Sequence, residues 1–385
     1  MVIKKIIRLI AVISALTIII SCSDEEISNS DSAENILFNQ KIIDNDDFFT
    51  GSHWNDPHVL YIGGEFVMYA SSDIDWDGVV KIYRLISTDG KTWAITNSGN
   101  PVLEHSASGW DSHGIETPAV VFFNGEYHMF YTGYDVPYNY TAPDGNGAGD
   151  GDTIFDDDIA SKHFRIGHAT SPDGITWTKD PGNPIIAPTA EYAAPNLDFN
   201  QYAVGEPAPV VFNNKIYLYF TALGADSALG TTWQTIGLVT SSDGDSWSTS
   251  ARTLTPVLTQ YPRTTGNEYI GFSTPNAIVL DNKIHIYCDV VLNSPWTQVA
   301  IHHAYSSEGE TGWIHDSAPL LEQSNYSWTA SEIRSPSALE YNNNLYLYFA
   351  GHYLDGGNPI LSIGLIIYDA SGSLIQSPRF YMQQE

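Results

Sequence analysis

Along most of the chain, alternating apolar runs are broken by the same punctuation: a proline, an apolar run, a two-residue turn, and a second run rich in Tyr and Phe. The segments are DPHVLYIGGEFVMYAS from Asp56, TPAVVFFNGEYHMFYTG from Thr117, EPAPVVFNNKIYLYFTA from Glu206, TPNAIVLDNKIHIYCD from Thr274 and SPSALEYNNNLYLYFAG from Ser335. In all of them the turn starts six positions after the proline, at Gly63, Asn124, Asn213, Asp281 and Asn342. Pairs of this kind between two alternating runs predict a β-hairpin, and the constant offset predicts a constant register. A further element follows in phase: STDGKTW at Ser87, SPDGITW at Ser171, SSDGDSW at Ser241 and the degenerate SSEGETGW at Ser306, while the last unit keeps only YDASGSL. Its Asp-Gly pair predicts a tight turn and its Trp a peg between neighbouring units, so the motif reads as scaffold.

The prolines at 57, 118, 207, 275 and 336 are spaced by 61, 89, 68 and 61 residues. Each interval holds four strands with loops, and the long second one carries an insertion. No stretch has useful helical periodicity. The expected fold is therefore all-β, a five-bladed β-propeller of four-stranded antiparallel blades over residues 36–385, in which radial stacking buries both faces of each sheet. Closure is expected between residues 40–43 and the last blade, near residues 379–382.

The first residues follow a different pattern. Lys4, Lys5 and Arg8 precede an apolar run over residues 9–20 that is short for a membrane span. Residues 1–21 read as a signal peptide, and Ile19, Ile20, Ser21 and Cys22 resemble the lipobox of bacterial lipoproteins, which makes Cys22 the expected lipidation site. Residues 22–35, polar and acidic, read as a flexible tether. The expected location is the bacterial cell envelope, with membrane contact only through the lipid anchor.

Composition narrows the partners. With Cys22 modified, only Cys288 remains, which rules out an intramolecular disulfide and a thiolate metal site. The formal net charge of −29 disfavours nucleic acid and anionic headgroups. Ten Trp and 23 Tyr supply faces on which sugar rings can stack, although aromatic residues are also core material in a β protein. A monomer is expected.

In a propeller, the residues at the start of each innermost strand line a funnel at one end. The residue before the repeat proline is equivalent in every unit and reads Asp56, Thr117, Glu206, Thr274 and Ser335. Two carboxyls therefore converge on a ring whose other members are small and neutral. His53, Trp54, Asn55, Asp56 and Pro57 are similar to the opening motif of the five-bladed clan that includes glycoside hydrolase families 32 and 43, and GWDSHGIETPAVVFFNGEYHMFYTG and SPDGITW resemble family 43 propellers. The resemblance spans essentially the whole chain after the tether. It implies a glycosidase acting on a plant or algal polysaccharide with no required cofactor. An Asp of the first blade is the base or nucleophile in that clan, a Glu the general acid, and a further Asp orients and tunes them. Carried over, Asp56 is the base, Glu206 the acid and Glu116 the tuning carboxylate. The sequence departs from the family pattern in having Glu206 rather than Asp in the third blade and Thr274 rather than a Glu in the fourth, which leaves Glu268 as an alternative acid. His53, Trp54, His113, Thr274, Glu332 and Arg334 are the expected substrate-binding residues.

Other features point less directly. The acidic insertion at residues 144–158 has oxygen ligands at spacings that suit a structural Ca2+, without the EF-hand order, and a solvated acidic loop is the simpler reading. His58 and His302 fall near funnel positions. Trp76, Trp110, Trp233, Trp296 and Trp328 are candidates for sugar-stacking walls, each also explicable as packing.

Overall fold

The computed structural model describes residues 36–74, 79–136, 164–188, 199–200, 203–226, 231–247, 256–258, 269–293 and 296–369. Cys22 and the leader, Trp76, the 144–158 insertion, Glu268 and residues 379–382 lie outside them, as do the side chains of Trp233 and Trp296. The structure is all-β, without α-helix among the described residues.

The first described strand is β1 (Ile36–Ile43). A first sheet follows, made of β2 (Ser52–Ile62), β3 (Glu65–Ile74), β4 (Lys81–Ser87) and the two-residue β5 (Ala94–Ile95). A second holds β6 (Gly114–Phe123), β7 (Glu126–Tyr134), β8 (Arg165–Ser171) and β9 (Thr178–Lys179). The third and fourth repeats form a single eight-stranded sheet. It comprises β10 (Ala203–Phe212), β11 (Lys215–Asp226), β12 (Thr231–Ser241), β13 (Tyr269–Leu280), β14 (Lys283–Asn293), β15 (Trp296–Ser306), β16 (Ile314–His315) and β17 (Leu321–Glu322). Its halves meet at one parallel pairing, Gln234 with Gly271. A side chain at Gly271, whose φ is 142°, would lie 1.9 Å from the Gln234 carbonyl oxygen, so only glycine permits this approach. The last sheet is β18 (Glu332–Tyr341), β19 (Asn344–Asp355) and β20 (Asn358–Asp369), completed by β1.

Strand β1 thus closes the last sheet, as expected for residues 40–43, but its described partner is β20, with Gln40 opposite Leu365 and Ile43 opposite Ile363. The hairpin turns follow the sequence reading. Both central residues have positive φ in every turn, from Gly63 and Gly64 (64° and 92°) to Asn342 and Asn343 (52° and 60°), which suits Gly, Asn and Asp and matches the strand twist.

The first strands of the repeats touch in a cycle: β2 packs on β6, β6 on β10, β10 on β13, β13 on β18, and β18 returns to β2. The Asp-Gly motifs join neighbouring repeats. Trp177 meets Tyr69 of the preceding repeat at 5.8 Å, Trp313 meets Tyr219 at 5.8 Å, and Trp93 meets Tyr348 of the last repeat at 6.0 Å. The same tyrosine hydroxyls donate to the motif's glycine carbonyls, Tyr69 to Gly174 at 2.7 Å, Tyr219 to Gly309 at 2.7 Å and Tyr348 to Gly90 at 3.0 Å. Between the second and third repeats Phe130 takes the tyrosine's place, with Trp247 edge-on at 5.0 Å.

Candidate functional site

At each repeat proline the strand pairing slips, between Asn55 and His58, Glu116 and Ala119, Gly205 and Ala208, Ser273 and Asn276, and Arg334 and Ser337. The residue before the proline sits in this bulge with left-handed φ: Asp56 at 50°, Thr117 at 51°, Glu206 at 52°, Thr274 at 44° and Ser335 at 54°. A bulge re-aims one side chain while the flanking strand keeps its packing. Here it does so at the same level in every repeat. The preceding repeat stitches the ring together: Thr117 N–H donates to Ser71 Oγ at 2.9 Å, Glu206 N–H to Thr132 Oγ1 at 2.7 Å, and Thr274 N–H to Thr221 Oγ1 at 2.8 Å.

Two carboxyls occupy the ring. Asp56 is buried, and its Oδ1 accepts from Ser335 Oγ at 2.7 Å. Glu206 is half-buried, and its Oε2 accepts from Thr274 N–H at 2.8 Å. Removal from water pushes the Glu206 carboxyl above its ordinary range; hydrogen bonds from Thr221 and Thr274 oppose this, and the Asp56 charge adds to it. Thr274 therefore holds Glu206 and lines the ring with it. Glu116, half-buried and one residue before Thr117, acts on Tyr134, whose hydroxyl is pushed up by burial, then by Glu116, Asp73 and Asp56.

The remaining expected residues divide. His53 Nδ1 is 2.9 Å from Asp73 Oδ1 across the β2–β3 pair. Glu332 mirrors this on β18, with its Oε2 3.2 Å from an Arg334 nitrogen and 3.6 Å from His352 Nδ1. Burial alone would raise the Glu332 carboxyl, but Arg334 and His352 outweigh it and hold it low. His113 is half-buried near Tyr134, its ring 6.0 Å from the tyrosine's.

Trp54 is a correction. Its side chain is 0% exposed, and its indole N–H donates to Asp47 O at 3.1 Å and Ser52 Oγ at 2.9 Å. Two residues before the ring position, it shares its level with the fully covered Ile115, Val204, Phe272 and Ile333, on the core side of the strand, and the bulge at Asp56 turns only the ring residue away from that side. Trp328 is likewise buried, stacked on Phe349 at 5.2 Å, and Trp110 stacks on Tyr131 at 5.8 Å. Neither forms a free wall. His58 bonds Val120 O at 3.0 Å and His302 bonds His315 at 3.1 Å, both buried within the scaffold.

Asp289 joins the site without a sequence motif to announce it. It is 0% exposed, and burial, then Glu206, push its carboxyl well above the ordinary range. Its place, eight residues after the turn start, reads Ser71, Thr132, Thr221, Asp289 and Ala350 across the repeats, so comparing the second strands as well as the first would reveal it. Among the described residues no group of three or more His, Cys, Asp or Glu is arranged to hold a metal.

No family model and no curated protein matches the chain. Solved structures do. One glycoside hydrolase superposes with a TM-score of 0.65 at 13% identity over 86% of this chain and 92% of its own. A thermostable family-43 glycoside hydrolase gives 0.55 at 15% over 81% and 89%. Zg3597, a family 117 glycoside hydrolase of the marine bacterium Zobellia galactanivorans, gives 0.56 at 16% over 86% and 90%. The fold is that of propeller-type glycoside hydrolases.

Proposed function

We propose that the protein is a glycoside hydrolase on a five-bladed β-propeller, anchored through Cys22 to the bacterial cell envelope and acting on a plant or algal polysaccharide or its oligosaccharides. Glu206 is the general acid and Asp56 the base. The observation that carries this reading is a pair of carboxyls in one ring, each held by a different ring neighbour. Glu206 is raised by burial and held by Thr274, whereas Asp56 is steadied as an acceptor by the Ser335 hydroxyl.

Cleavage of a glycosidic bond needs one protonated carboxyl on the leaving oxygen and one ionised carboxyl opposite. Glu206 gives its proton to the departing oxygen while Asp56 takes one from the attacking water. The step leaves Glu206 ionised and Asp56 protonated, and exchange with solvent resets both. Glu116 tunes the pair, and His53, His113, Glu332 and Arg334 bind substrate hydroxyls. The fold neighbours support a carbohydrate ligand, since they are glycoside hydrolases.

Release of reducing sugar from arabinan, xylan, fructan and algal polysaccharides tests the proposal. The wild type should act on at least one of them, and Asp56→Asn or Glu206→Gln should lower the rate by about 10²–10⁴-fold. Unchanged rates in both variants would remove these residues from the mechanism. Thr274, where the resembling family has an acid, gives weight to a second reading, a carbohydrate-binding lipoprotein without turnover. Saturable binding by calorimetry with no product would favour it.

A further inference from the structure

The hairpins made by the second and third strands of the repeats do not rise equally above the ring. In the first two repeats the pairing ends at Ser72 with Lys81 and at Gly133 with Arg165, nine residues after the turn starts Gly63 and Asn124. In the third, fourth and fifth it runs on to Asp226 with Thr231, Asn293 with Trp296 and Asp355 with Asn358. These ends stand 13, 12 and 13 residues after Asn213, Asp281 and Asn342. At about 3.3 Å per residue, three or four more residues add roughly 10–13 Å of height. Among the described strands, the ring end of the molecule therefore has a tall side and a low side.

On the fifth repeat the tall side grows directly out of the site. Glu332 of β18 and His352 of β19 are register partners, with His352 Nδ1 3.6 Å from Glu332 Oε2. Side chains alternate along a strand, so Leu354, two residues beyond His352, lies on the same face. Leu354 is 61% exposed and pairs with the exposed Pro359 of β20. Tyr353, between His352 and Leu354, turns to the other face, where its hydroxyl accepts from Lys41 Nζ at 3.0 Å. Asn45 adds a second brace: its Nδ2 donates to Pro359 O at 3.5 Å, and its Oδ1 accepts from Leu361 N–H at 3.1 Å. A lone exposed leucine means little. This one stands on a hairpin held from behind, beside an exposed proline and in line with Glu332 and His352. On the neighbouring fourth repeat, Trp296 is paired with Asn293, which stands 12 residues after its turn start, as Leu354 does.

We propose that Leu354, Pro359 and Trp296 form a distal wall that receives the apolar faces of sugar residues beyond the bond held at the ring, so that the site takes a glycan chain rather than a single sugar. The inference rests on the reading of the ring as a carbohydrate site and extends it to the length of the ligand. Leu354 lies four residues past Ala350, the register partner of Arg334, which is roughly 13 Å of strand. A single sugar at the ring carboxyls leaves that height unfilled, and a chain bridges it. Burial of the Leu354 side chain and stacking on the Trp296 indole supply the attraction, since sugar rings carry apolar C–H faces.

The test is calorimetry of the whole protein, and of Asp56→Asn, against a length series of oligosaccharides prepared from arabinan, xylan, fructan and algal polysaccharides. Affinity should rise with chain length. Leu354→Ser and Trp296→Ala should each weaken binding of the longest chain about tenfold and leave the shortest bound fragment unchanged. Trp296→Phe, which keeps a flat apolar ring, should restore most of the loss. Because Leu354 is exposed, its replacement leaves the unfolding temperature in place, so a fall in affinity there reports contact with the ligand. Equal losses on short and long fragments, or no loss on the long ones, overturn the inference, as does a wild-type affinity that ignores length. If affinity follows length as expected but the wild type releases no reducing sugar, the wall stands and the hydrolase reading falls. A protein that binds no member of the series loses both.

Discussion

Each residue before a repeated proline holds a φ between 44° and 54°, a left-handed conformation that costs a non-glycine residue about 1–2 kcal/mol. The scaffold maintains that strain at every repeat, and the return is a ring of side chains aimed at one place. Asp56 and Glu206 differ there through their neighbours as well as their length. Because burial raises the Glu206 carboxyl above 4.5, its protonated form persists above the ordinary Glu range. In the proposed role of general acid it acts only while protonated, so kcat/KM should decline on the alkaline side through a midpoint above that value. A pH-rate profile with its alkaline midpoint at or below the ordinary Glu value would rule Glu206 out as the acid. Trp54 makes the opposite case. It is enclosed by Phe48, Phe49 and Tyr83 with ring centroids 5.3, 5.6 and 5.5 Å away, so its removal leaves a core cavity. Trp54→Ala should destabilise by about 3–5 kcal/mol in urea unfolding, whereas a sugar-stacking residue would leave stability untouched and weaken binding.

At the scale of elements, the tyrosine-to-glycine bond between repeats is a repeated joint that lacks its hydroxyl between the second and third. Phe130 keeps the ring contact with Trp247 but donates nothing, so aromatic packing and hydrogen bond are separable contributions. Tyr219→Phe should therefore cost about 1 kcal/mol. Tyr219→Ala, which also empties a buried ring site, should cost about 3–5 kcal/mol by the same unfolding measurement. Equal losses would mean that the hydroxyl alone makes the joint. The hairpins are legible in the sequence because a turn with two positive φ angles limits its residues to Gly, Asn and Asp, and the proline marks the bulge. The two-residue outer strands, such as Ala94–Ile95 and Thr178–Lys179, leave no periodic trace, and the bridge that merges the third and fourth repeats depends on the tertiary approach of Gly271 to Gln234. The ring is legible from equivalence of position. Trp54 departs from its expected role because the bulge at Asp56, with its left-handed φ of 50°, re-aims the ring side chain away from the face on which Trp54 packs two positions earlier. Asp289 escapes motif reading because no motif surrounds it; only its departure from Ser71, Thr132 and Thr221 marks it.

Across the whole molecule, repeats joined in a cycle bury histidines that an open sheet would leave wet. Burial lowers His58 to about 4, against its bond to Val120 O. Burial, then His303, lowers His285 to about 3, and burial, then His315, lowers His302 to about 3. All three start from 6.5, so as the pH falls the unfolded chain takes up protons before the folded one. Their contribution to stability is complete above pH 6.5 and is lost between there and pH 3–4, at about 1.4 kcal/mol per group per pH unit. Two effects oppose the loss. The carboxyls of Glu206 and Asp289, raised in the fold, destabilise it as pH climbs through the unfolded carboxylate value, and the formal net charge of −29 relaxes on acidification. Three histidines titrating together outweigh a diffuse, salt-screened repulsion, so the unfolding temperature should peak near neutrality and fall steeply from pH 6.5 towards pH 4 in scanning calorimetry. Replacing His285 by Tyr, the residue at the same place in the third and fifth repeats as Tyr217 and Tyr346, should make that slope shallower. A flat profile in the wild type would mean that water reaches these histidines and that the repeats do not seal against one another.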